Sequence, residues 1–166
     1  MADPRTRDRL RPSLLELLQG DLAPVATEKE LRRYVIRDLE WLFNTTGGQS
    51  LLPEEGFFTI DAYPNVVTSV LNYGLPSMAG GAVARLDRET LQRALRQVLA
   101  RFEPRILQQG LKVQLDPRHD PLHEGTLAFE IEGRLRLDRD SVPFRLRTEI
   151  DVGNSAATVT DKDAES

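Results

Sequence analysis

The sequence predicts an α+β fold, with N-terminal helices packed against a small C-terminal antiparallel β-sheet. Two observations carry this. Up to Phe102 apolar residues recur at three- and four-residue spacing, the period of an amphipathic helix. Beyond Pro104 the period falls to two, as in strands with one buried face and one wet face. The length of 166 residues fits one domain, and a core of that size holds without covalent staples.

The first helix is expected over 27–44. Thr27 and Glu30 form a capping box, each side chain taking a free amide of the other residue. Leu31, Val35, Leu39 and Leu42 make the core stripe, while Tyr34, Ile36, Trp41 and Phe43 widen the apolar surface beyond it. A helix apolar around so much of its circumference is deeply buried or faces a partner. Asn44 and the Gly47-Gly48 pair end it.

Residues 45–63 read as loop, and a second helix is expected from Pro64 to Tyr73, with Gly74 as its C′ residue. Leu75 to Ala84, with Pro76 and Gly80-Gly81, reads as a low-order stretch. The third helix, 88–102, takes Asp87 as cap and Leu86 with Leu91 as hydrophobic staple. Leu91, Ala94, Leu95, Val98, Leu99 and Phe102 form its stripe, and Pro104 stops it.

Three strands follow. Leu111, Val113 and Leu115 alternate with polar residues, as do Leu127, Phe129 and Ile131. Phe144, Leu146, Thr148 and Ile150 form the third inward-facing set. Before the helices, Ser13 opens a short leucine cluster, Leu14, Leu15, Leu17 and Leu18, which at two helical turns must dock on something. The expected organisation is a flexible arm over 1–12, a single domain over 13–152 and a disordered tail over 153–166.

Composition excludes several functions. Cys is absent, so disulfides, thiolate zinc sites and cysteine nucleophiles are out. With 22 basic and 26 acidic residues the net charge is −4, against general nucleic-acid binding. Of the basic residues, 19 are Arg, the side chain suited to bidentate pairing. No apolar run approaches the roughly 20 residues that cross a bilayer. The start, Met1 to Arg7, alternates charges where a signal peptide is apolar. A soluble, cytoplasmic protein is expected.

Chemistry-bearing motifs are sparse. His119 and His123 are four apart, but Pro117 and Pro121 interrupt the helix that would bring them onto one metal, so a solvated loop is expected. Gly80-Gly81 lacks the Lys-Ser/Thr of a phosphate loop. A glycosidase needs two carboxylates roughly 5–10 Å apart, for which Glu54, Glu55 and Glu103 qualify by residue type alone. No catalytic residue, cofactor or metal is expected.

The informative cluster is Phe102-Glu103-Pro104-Arg105. A carboxylate at a helix C-terminus faces the negative end of the macrodipole. An arginine or a ring of backbone amides should therefore hold Glu103 in place. Glu103 and Arg105 are expected to complete an ionic and hydrogen-bonded network at a protein interface, with Arg37 and Asp38 as candidate members.

Glu103-Pro104-Arg105 between an amphipathic helix and a strand resembles the Glu-Pro-Arg motif of the TssE family of type VI secretion baseplate proteins. That family is itself similar to a wedge protein of contractile phage tails. Three more blocks agree. Ser13 to Leu18 resembles the family's leucine-rich helix, and Arg37 to Thr45 its helix signature. Tyr63-Pro64 with Ser69 to Pro76 resembles its most recognisable block. Relatives often read Asn-Thr-Arg where this chain has Asn44-Thr45-Thr46, without the basic side chain. The resemblance implies a sheath-like fold and a structural role in the baseplate wedge on the cytoplasmic side of the inner membrane. Implied partners are TssF, TssG and TssK, with the sheath proteins TssB and TssC joined by strand exchange. On this reading Glu103, Pro104, Arg105, Arg37, Asp38, Trp41, Asn44, Asn72, Tyr73, Leu14, Leu15 and Leu18 are the protein-interaction residues. The family also carries a lysozyme-like label, which would make the chain a peptidoglycan-cleaving glycosidase with Glu103 as acid. The lack of a convincing second carboxylate argues against that alternative, and fold likeness does not transfer chemistry.

Overall fold

The computed structural model describes residues 27–50, 62–77, 88–118, 125–137, 140–151, 153–154 and 156–163. Helix α1, Glu28–Phe43, starts on the capping box the sequence predicts. Thr27 accepts from the Glu30 amide, and the Glu30 carboxylate accepts from the Thr27 amide at 2.7 Å. Leu31, Val35, Leu39, Leu42 and Phe43 are its buried side. Helix α3, Arg88–Phe102, buries Leu91, Leu95, Val98 and Leu99. The expected cap and staple at Asp87 and Leu86 lie outside the described residues, as do Glu54, Glu55, Gly80, Gly81 and both histidines.

The three predicted strands are present as β3, Lys112–Leu115, β4, Thr126–Arg136, and β5, Ser141–Asp151. They pair antiparallel in chain order. Their registers line up inward rows such as Leu115, Phe129 and Thr148, or Val113, Ile131 and Leu146. Both helices contribute to the single apolar cluster that this face of the sheet buries.

Thr148 lies in that row fully buried, and its hydroxyl has no hydrogen-bond partner among the described residues. An unsatisfied buried hydroxyl costs roughly 1–3 kcal/mol. Thr148→Val keeps the shape and removes the hydroxyl, so it is expected to raise stability by about 1 kcal/mol. Urea denaturation of the two proteins measures the difference.

Four expectations need correction. The 153–166 segment is not a disordered tail throughout, because Ala157–Asp161 forms β6 and pairs antiparallel with β5. Ala157 and Val159 are its inward residues. The 45–63 region is not all loop, and 75–84 is not low-order from its start. Thr46–Ser50, β1, pairs parallel with Leu75–Ser77, β2. Finally, Pro64 to Tyr73 is not one helix. Helix α2 stops after Pro64–Val67, and a 3-10 turn covers Val70–Asn72. The break lies at Ser69, whose hydroxyl donates to the Val66 carbonyl and accepts from the Leu71 amide. Serine competes for helix backbone groups in this way.

Candidate functional site

Helix α3 ends in a turn. The Glu103 amide still donates to the Leu99 carbonyl, and the Ile106 amide donates to the Glu103 carbonyl at 3.1 Å. Pro104 thus sits at the second position of a four-residue turn, where its fixed φ fits. The chain then joins the far end of β4. The Arg136 amide donates to the Arg105 carbonyl at 2.7 Å, and the Leu107 amide to the Arg134 carbonyl at 2.9 Å. The base of the Arg105 side chain is therefore anchored to the sheet.

Glu103 is 2% exposed. Its Oε1 accepts from the Arg105 backbone amide at 3.1 Å and from Arg105 Nε at 2.7 Å, while Oε2 accepts from Nη2. The same Nη2 donates to Asp38 Oδ2 on α1 at 2.7 Å. Asp38 Oδ1 in turn accepts from Arg37 Nε at 3.0 Å and Nη2 at 2.8 Å. One arginine thus ties the acid of its own turn to the first helix. The four side chains expected to form an interface network, Glu103, Arg105, Asp38 and Arg37, bond one another within the chain. Burial works against the Arg105 charge, but the hydrogen bonds and charges of Glu103 and Asp38 outweigh it and hold this guanidinium above the ordinary arginine range.

Aromatic residues border the network. The Arg37 guanidinium lies 4.9 Å from the Trp41 ring centroid and 5.5 Å from that of Tyr34. Tyr73 meets Phe102 edge-on at 5.3 Å, and its hydroxyl lies 3.4 Å from the Asp38 carbonyl. Burial first, then the charges of Asp38 and Glu103, push the Tyr73 phenol above its usual value.

The other expected interaction residues divide. Trp41 is 49% exposed. Asn72 faces inward, its amide donating to the Val67 carbonyl at 3.1 Å. Arg101 donates to the same carbonyl at 2.6 Å, fastening α2 to the end of α3. Asn44 turns toward β6. Leu14, Leu15 and Leu18 lie outside the described residues. Sequence reasoning missed Val70 and Leu71, which are 81% and 77% exposed on the 3-10 turn. Two adjacent apolar residues in an expected helix gave no sign that both would face outward.

A second acid-Pro-Arg turn was also missed. Asp116-Pro117-Arg118 follows β3 and repeats the pattern of hydrogen bonds. Asp116 Oδ1 accepts from the Arg118 amide and Nε, both at 3.0 Å, and Oδ2 from Nη2 at 2.8 Å. The outside partner differs: Arg147 of β5 donates to the acid, Asp116 Oδ2, at 3.3 Å, whereas in the first turn Asp38 accepts from the arginine. The repeated tripeptide was the available signal. The Arg118 side chain and amide, with Arg147 beyond them, hold the Asp116 carboxyl well below the usual carboxylate range.

That shift has a sign. A carboxyl depressed by folding stabilises the fold above its unfolded pKa of about 3.9 and loses that contribution as the pH drops below it. Urea midpoints measured between about pH 4 and pH 2 are expected to fall more steeply for the wild type than for Asp116→Asn.

The geometry gives Glu103 no free oxygen with which to approach a substrate. Both oxygens are bound by one guanidinium, and the nearest acid in the network, Asp38, is bound by two. No group of three or more metal-ligating side chains occurs among the described residues. No helix among them is long and apolar enough to cross a membrane.

The family model described as baseplate wedge protein gp25 matches residues 29–140. The chain belongs to that family. It is the family that includes TssE. The gp25 match runs from α1 through the end of β4 and includes both acid-Pro-Arg turns. No curated protein and no solved structure matches the chain. Membership of the gp25 family supports a structural role in a baseplate, in contact with other baseplate components.

Proposed function

We propose that this chain is a TssE-like, non-catalytic subunit of a type VI secretion baseplate wedge. It joins TssF, TssG and TssK to the contractile sheath and provides the template for the first sheath ring, on the cytoplasmic side of the inner membrane. The observation that supports this reading best is the Arg105 clamp. It commits the one buried glutamate of the motif to a structural bond and fixes α1 against the end of α3. A rigid frame of that kind suits presentation of a surface better than turnover of a substrate. Trp41, exposed, lies against Arg37 of the network, Val70 and Leu71 are exposed on the 3-10 turn, and solvent-facing apolar groups mark protein contacts when they cluster.

The interaction role therefore belongs to the exposed side chains, with Glu103, Pro104, Arg105, Asp38, Asn72 and Tyr73 positioning them. Asn44 fastens the end of α1, and the leucines Leu14, Leu15 and Leu18 add a contact from the N-terminal segment. The test replaces Trp41 by Ala and Leu71 by Asp, and measures capture by a TssF–TssG–TssK complex. Both variants are expected to keep the wild-type circular dichroism and to lose capture at least tenfold. Undiminished capture of both would remove this surface from the interface.

A further inference from the structure

The two acid-Pro-Arg turns hold their arginines alike and complete them differently. In each, the acid accepts from the backbone amide, Nε and Nη2 of the arginine two residues on. Each turn is also tied to the sheet. The Arg105 carbonyl accepts from the Arg136 amide, and the Asp116 amide donates to the Ala128 carbonyl at 2.8 Å. A guanidinium carries five N–H donors, so the acid of the turn leaves others to act elsewhere. Arg105 directs a further Nη2 bond to Asp38 of α1, and its side chain is 25% exposed. Arg118 bonds no second acid among the described residues, and its side chain is 76% exposed.

The two acids also differ in what they keep when the arginine lets go. Glu103 keeps only the amide of residue 105. Asp116 keeps the amide of residue 118 and, at 3.3 Å, the Arg147 guanidinium, which Glu149 steadies at 2.8 Å. Arg105 is therefore committed to the fold, whereas the Arg118 contact can open with Asp116 still partnered. While closed, that contact sets the direction of Arg118, and a side chain already ordered loses less freedom on binding. The surroundings select what it binds. Exposed Pro117 lies in the same cleft as Arg118, with Leu115 and Glu130. Glu130 and Glu149 on the wet face offset the arginine charges at a distance, so recognition acts at contact, through the planar fork.

We infer that Arg118 is a docking residue whose solvent-facing donors receive an aspartate or glutamate of another baseplate protein, as Arg105 receives Asp38 within the chain. Paired bonds from guanidinium to carboxylate are strong and directional, and arginine is among the residues that dominate interface energetics. The partner segment that fits carries an acid next to an apolar residue, the latter packing on the Pro117 ring. The inference rests on the wedge reading and adds to it a contact residue and the chemistry of its partner.

Capture of the full chain by a TssF–TssG–TssK complex tests this, with a urea midpoint measured for each variant. Arg118→Ala is expected to keep a midpoint close to that of the wild type, unlike Arg105→Ala, and to weaken capture at least tenfold. Arg118→Lys keeps the charge without the fork and should be captured little better than Arg118→Ala. A midpoint for Arg118→Ala as low as that of Arg105→Ala would make Arg118 a second internal clamp and overturn the inference. Undiminished capture of Arg118→Ala, or full recovery by Arg118→Lys, would overturn it while leaving the wedge reading standing. If the complex does not capture the wild type, the wedge reading fails and the inference fails with it.

Discussion

Arg105→Ala is expected to lower the stability of the isolated chain by about 3–5 kcal/mol. The variant leaves Glu103 buried at 2% exposure with one of its three donors, the backbone amide of residue 105, and without the two from the guanidinium. The cost is mostly that of an uncompensated carboxylate. Glu103→Ala should cost less, about 2 kcal/mol, since Arg105 is one-quarter exposed and keeps Asp38. Removing both together should therefore be milder than removing Arg105 alone. Arg105→Lys restores a charge but cannot bond both oxygens of Glu103 and Asp38 at once, so it should recover only part of the loss. Thermal and urea denaturation of the four variants provide the comparison. At roughly 2–4 °C per kcal/mol for a chain of this size, Arg105→Ala should melt about 10 °C below the wild type. If Arg105→Ala melts with the wild type, the clamp is not what holds α1 to the turn.

The second large effect is expected at Gly74. Its φ of 124° lies outside what side-chain-bearing residues adopt, and a Cβ there would stand 2.4 Å from the Thr45 carbonyl oxygen and 2.7 Å from the Gly47 amide nitrogen. These are backbone atoms of the β1 approach, fixed further by the Leu75 amide bonding the Thr45 carbonyl at 2.8 Å. Gly74→Ala should cost at least about 3 kcal/mol and separate β1 from β2. Gly110→Ala is the control. That glycine also has a positive φ, of 84°, but open space around it, so only the backbone cost of about 1–2 kcal/mol applies. Denaturant midpoints for the two alanine variants should differ clearly in that order, and equal midpoints would mean the β1–β2 approach relaxes.

The sequence makes legible whatever local periodicity dictates. The capping box and leucine stripe of α1, the stripe of α3 and the two-residue period of β3 to β5 all act within a few residues of chain. The candidate network was legible for a physical reason too, since a glutamate at the negative end of a helix needs a counter-charge and Arg105 was the nearest.

What escaped depends on distant partners. Only Ala157 and Val159 in β6 are apolar, and their threonine and aspartate neighbours resemble a solvated tail until β5 and Asn44 pair with them. Strand preference of that kind is set by context more than by composition. The β1–β2 pair was hidden similarly. Gly47 and Gly74 read as breakers because their role is to let two backbones approach, which no local pattern encodes. Asn72 was expected as an interaction residue, but its identity says nothing of direction; only the fold turns it toward the Val67 carbonyl.

Membership of a wedge is tested most directly by mixing the purified wild-type chain with TssF, TssG and TssK and separating the mixture by size. A wedge subunit is expected to leave the column in one complex with all three, at a fixed ratio that excess chain does not change. Elution of the chain on its own, with TssF, TssG and TssK assembled normally without it, would contradict the proposed role.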